Sequence, residues 1–141
     1  MHGGPGRADD ERMGETAPRG EQGDDMTVTG IGGLFFRSRD PEGRAAWYRE
    51  HLGIDAGQDA VWMQDSGMTV FAPFDADSDY FAADQPFMLN LRVSGLDDLI
   101  SALETAGIPV ERRPEWEGEY GRFARIHDPE GLPIELWEPA V

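Results

Sequence analysis

One order of residues occurs twice along this chain and limits what it can fold into. An aromatic or apolar stretch runs into an arginine, an amphipathic stretch follows, and Gly-Ile closes it. The first copy is IGGLFFR at 31–37, closed by Gly53-Ile54; the second is FMLNLRV at 87–93, with Arg92, closed by Gly107-Ile108. Each copy then runs through further β-like stretches to an aromatic segment and a proline, VFAPF at 70–74 and ELWEP at 135–139. Diverged duplication of this kind predicts one α+β domain made of two related halves.

Local signals fill in the elements. Asp40-Pro41 supplies an N-cap and a proline suited to the first helical position. Ala45, Tyr48 and Leu52 then recur at helical spacing, and Gly53 suits the left-handed residue that ends a helix, which predicts a helix over 41–52. The runs 60–64 and 68–74 flank Asp65-Ser66-Gly67 and read as a strand hairpin. Residues 75–85 form an acidic, alanine-rich loop. In the second half, 87–93 reads as a strand and 96–106 as a helix, with Asp97 and Asp98 favourably placed at its N-terminus. Strands are expected at 110–113, 120–126 and 133–137, the last two joined by the turn sequence Asp128-Pro129-Glu130-Gly131. The same tetrapeptide at 40–43 begins a helix, so the repetition reads as coincident turn chemistry.

Composition narrows the class. The chain has 141 residues, no cysteine and a formal charge of -16. Length allows one ordinary domain. Disulfides, thiolate metal sites and a cysteine nucleophile are excluded. The acidic balance disfavours nucleic acid and anionic membranes as partners, and no apolar run approaches the length of a membrane span. Residues 1–26 are rich in Gly, Pro, Arg and acids; they lack the apolar core of a secretory signal and predict a disordered acidic tail in a cytoplasmic protein.

Three stretches, FFRSRDPEGRAAWYREHLGI (35–54), LRVSGLDDLISALETAGIPV (91–110) and YGRFARIHDPEGLPIELWEP (120–139), resemble the vicinal oxygen chelate superfamily, which includes glyoxalase I, bleomycin-resistance proteins and extradiol dioxygenases. The resemblance covers nearly all of 27–141. It implies two βαβββ modules, at about 30–75 and 86–139, whose curved mixed sheets enclose a pocket in a glyoxalase-like homodimer. It also implies a divalent metal held from the first and last strands of each module. In this chain those positions fall at Gly33, about Thr69, Met88 and Glu135. Glu135 alone is a ligand type suited to a metal, so no metal or other cofactor is expected. His51 and His127 read as a helix-end cation and a turn-side hydrogen bonder.

Period-two alternation puts Gly33, Phe35 and Arg37 on one strand face, Met88, Asn90 and Arg92 on another, and Glu135 with Trp137 on a third. With Trp62 these describe an aromatic-walled small-molecule site. Phe35, Arg37, Trp62, Asn90, Arg92 and Trp137 are its candidate ligand-binding residues. Each has a plainer role available: Arg37 and Arg92 as partners of nearby acids, the aromatics as core. Glu135, between Ile134 and Leu136, faces inward and requires a partner or a raised pKa. The leading expectation is a metal-independent protein that binds a small organic molecule in the manner of the bleomycin-resistance type. The alternatives are a glyoxalase-type lyase or isomerase with Glu135 as general base, and an interaction module with a filled barrel.

Overall fold

The computed structural model describes residues 26–140. The acidic tail expected over 1–26 lies outside the described residues except for Met26. The chain divides into a unit ending at Phe36 and a unit from Arg37 onward. In the first unit, residues 26–36 carry no helix or strand.

The second unit begins with helix α1, Pro41–Leu52. The Asp40 carboxylate accepts from the Gly43 N–H at 3.1 Å, and Pro41 occupies the first turn without wasting a donor. Gly53, at φ 68°, ends it as expected, its N–H donating to the Arg49 carbonyl at 3.2 Å. The residues that α1 buries are Arg44 and Tyr48, so a cation lies on its inward face.

Strand β1 is Leu89–Arg92, helix α2 is Leu96–Thr105, strand β2 is Gly121–His127 and strand β3 is Pro133–Pro139. α2 buries Leu96, Ile100 and Leu103 along one stripe. The strand order is β1-β3-β2, with β3 parallel to β1 and antiparallel to β2. Central β3 is buried on both faces from Pro133 to Trp137. Ile134 and Leu136 join Ala124, Ile126, the α2 stripe and Tyr48 in the core. Alternation then turns Glu135 and Trp137 to the opposite face, alongside Asn90 and Arg92 of β1 and Phe123 and Arg125 of β2.

Three departures from expectation stand out. The segment at 110–113 makes a single bridge, Glu111 with Arg125, and leads into a 3₁₀ turn at Pro114–Trp116. More consequentially, 31–37, 60–64 and 68–74 form no strand, so the chain does not show two βαβββ modules: among the described residues it has one open three-stranded sheet and two α-helices. A strand exists by hydrogen bonding to a neighbour, and aromatic alternation supplies a face without supplying that neighbour. The first-half segments accordingly leave Phe35, Met63 and Phe71 exposed. Finally, the equivalence that placed metal-ligand positions at Gly33 and Thr69 loses its basis, because neither residue lies on a strand.

Candidate functional site

The polar face of the sheet gathers around Glu135. Only 8% of this residue is exposed, and both carboxylate oxygens are engaged. The Tyr80 hydroxyl donates to Oε2 at 2.5 Å, and the Asn90 amide donates to Oε1 at 2.8 Å. The inward carboxylate thus has partners, and they are neutral. Register explains Asn90, which lies directly beside Glu135 in the parallel β1–β3 ladder. Tyr80 arrives from the loop that follows 68–74.

Arg125 stands directly across the antiparallel ladder from Glu135. Its guanidinium lies 4.9 Å from the Tyr80 ring centre and 5.4 Å from that of Trp116, and its Nη2 donates to the Tyr80 carbonyl at 3.1 Å. Such stacking retains a partly desolvated cation against π-faces. Burial, followed by the hydrogen bond to Glu135 and that carboxylate's charge, pushes the Tyr80 phenol up to about 12.

A cavity of about 250 Å³ adjoins this cluster, lined by Tyr80, Trp116, Gly118, Tyr120 and Phe123 with Glu115 and Glu117. Behind it, Phe123 stacks parallel to Trp137 with ring centres 6.1 Å apart, and the Trp137 indole donates to the Tyr120 carbonyl at 2.8 Å. Trp137 therefore supports the aromatic wall from within.

Asn90, Trp137 and Glu135 come together on one face. Arg92 shares that face by register, but its guanidinium donates to the Asp65 carbonyl at 3.1 Å and so ties down the 65–67 turn. Arg37 is exposed, and its carbonyl accepts from Arg44 Nη1 at 2.9 Å. Trp62 is 40% exposed in a segment without regular structure. Phe35, 93% exposed, belongs to the first unit. Sequence reasoning missed Tyr80, Trp116, Tyr120, Phe123 and Arg125. The available signal was aromatic density, in DYFAADQPF at 79–87 and PEWEGEYGRF at 114–123, within stretches that read as loop or outer strand.

Glu135 already accepts two hydrogen bonds, and among the described residues no three His, Asp or Glu side chains gather into a ligand set.

A second polar cluster is structural. Asp128 Oδ2 accepts from Arg44 Nε at 2.8 Å and from the Tyr48 hydroxyl at 2.7 Å, while its Oδ1 accepts the N–H groups of Glu130 and Leu132. Glu130 accepts from the Ser38 hydroxyl at 2.7 Å and from the Arg39 and Asp40 N–H groups. The DPEG turn that reads as local chemistry is therefore a clasp on α1.

No protein-family model matches the chain, and no curated protein matches it. Among solved structures, "Crystal structure of TnmS3, an antibiotic binding protein from Streptomyces sp. CB03234" is similar, with a TM-score of 0.55 and 23% identity over 82% of this chain and 100% of that one. At that identity the likeness is one of fold. The likeness does not restore the two complete modules.

Proposed function

We propose that this protein binds a small aromatic organic molecule of the antibiotic kind, without help from a metal. The observation that carries this reading is the cavity walled by Tyr80, Trp116, Tyr120 and Phe123, set against the hydrogen-bonded Glu135. Aromatic walls with a few fixed polar groups are the usual make-up of a small-molecule site. The fold likeness to an antibiotic-binding protein supports the same direction.

Titration with a panel of aromatic antibiotics, followed by tryptophan fluorescence, tests it. One member should saturate the protein, and Trp116→Ala should weaken that binding about tenfold or more, the range expected for loss of a stacking ring. Saturation unaffected by Trp116→Ala would defeat the reading. Stoichiometric submicromolar binding of a divalent ion, lost in Glu135→Ala, would defeat its metal independence.

We also infer that the protein works as a pair of identical chains. Residues 60–74 hold one charged residue, Asp65, yet expose Val61, Met63, Val70 and Phe71. A largely apolar stretch with a single charge, on an acidic protein, favours burial against another surface. Sedimentation showing only monomer at high concentration would refute this.

A further inference from the structure

Tyr80 sits among groups that would form a site without it. Arg125 and Glu135 are each 8% exposed and directly opposed across the β2–β3 ladder, yet no ion pair joins them. Buried opposite charges on neighbouring strands ordinarily satisfy each other. Here one tyrosine serves both, with its hydroxyl on Glu135, its ring under the guanidinium and its carbonyl on Nη2. Arg125 Nε remains buried with no hydrogen-bond partner. An orphaned buried donor marks a place where an acceptor belongs. Trp116 supplies a second wall, edge-on to Tyr80 with ring centres 6.4 Å apart. Tyr80 itself is carried by a loop without helix or strand, half-buried, and lines the adjoining cavity.

We propose that the Tyr80 side chain keeps the place of a ligand, and that Glu135, Arg125 and Trp116 form a subsite for the phenolic ring of a planar hydroxyaromatic molecule that displaces it. The ligand hydroxyl donates to Glu135 as the tyrosine does, its ring lies under the Arg125 guanidinium against Trp116, and an acceptor on the ligand answers Arg125 Nε. This rests on the small-molecule reading above and adds the chemical class and the means of entry. A site built to receive a hydroxyl discriminates strongly against an analogue that lacks it, because the acceptor is then left buried and unpaired.

Calorimetric titration of the full chain with 2-naphthol and with 2-methoxynaphthalene tests the proposal in wild type, Tyr80→Ala and Tyr80→Phe. Tyr80→Ala should bind 2-naphthol about tenfold more tightly than wild type and prefer it over the ether by about tenfold or more, a preference that Glu135→Gln reduces. Tyr80→Phe keeps a ring in place and should gain less than Tyr80→Ala. Carbon-13 tyrosine spectra of the wild type give a readout that needs no variant to fold: saturating 2-naphthol should move the Tyr80 Cζ resonance toward that of an exposed phenol. An unmoved resonance in a saturated wild type overturns the proposal, and so does a Tyr80→Ala protein that gains no affinity or ignores the hydroxyl. Trp116-dependent antibiotic binding alongside either result would leave the small-molecule reading standing and remove this one alone.

Discussion

Arg125 and Glu135 face each other across the β2–β3 ladder and do not pair; each is held by Tyr80 instead. The phenol that separates them is protected from ionisation, mainly by burial and then by the neighbouring carboxylate.

That protection has a sign. Unfolded, the Tyr80 phenol ionises near its ordinary 10.0; folded, it keeps its proton to about 12. Between those values the folded state binds the extra proton, so the contribution is complete below the lower value and lost as pH rises through the upper one. Urea unfolding of wild type and Tyr80→Phe from about pH 9 to about pH 12 should show the gap between them shrink. A constant gap would contradict the assignment.

Asp128→Ala should destabilise the fold by about 3 kcal/mol, the lower end of the cost of breaking a buried pair, because Arg44 keeps Glu130 at 3.2 Å as a second anion. Arg44 and Asp128 are almost wholly removed from solvent, and the pair closes at 2.7 Å. Tyr48→Phe, which deletes one donor to the same carboxylate, should cost about 1 kcal/mol. Urea midpoints measure both, and an Asp128→Ala protein as stable as wild type would remove the clasp from the account.

Gly53→Ala isolates a backbone effect. Nothing lies within 4 Å of the added Cβ, but the residue sits at φ 68°. The expected loss is about 1–2 kcal/mol, and Gly53→Asn should lose less because asparagine tolerates that conformation. Equal stability of Gly53→Ala and wild type by thermal melting would refute the cap.

The Ser38 hydroxyl, with the Arg39 and Asp40 N–H groups, holds the Glu130 carboxyl below its ordinary range. A depressed folded value contributes stability above the unfolded pKa and loses it as pH falls through the folded one. Ser38→Ala should therefore cost more at neutral pH than in acid, where Glu130 is protonated in both states. Denaturation at the two pH values compares them.

Much of the unit from Arg37 onward was legible because its signals are local. Asp40-Pro41 and Gly53 bounded α1, the DPEG turn joined β2 to β3, and period-two alternation grouped Asn90 with Arg92 and Glu135 with Trp137, two sets that the β1–β3 register brings onto one face. The missing information was of two kinds. Apolar alternation at 31–37, 60–64 and 68–74 described faces but not neighbours, so it promised strands that do not pair. Arg44 and Asp128 meet over 84 residues, and Tyr80 reaches Glu135 over 55, distances at which sequence leaves no periodic trace. Arg125 was hidden differently, as an ordinary arginine inside a strand whose importance depends on what the loop lays over it.

The clasp between Asp128 and Arg44 also sets an order of events. Synthesis delivers α1 long before the carboxylate that receives its buried arginine, and until residue 128 emerges that helix carries a cation with nowhere dry to go. Loop closure over so long a span is slow relative to forming the short β2–β3 hairpin. Among the described residues, the first helix to leave the ribosome is therefore expected among the last to be seated, and a chain interrupted before Asp128 would present that helix undocked to whatever surveys unfinished proteins.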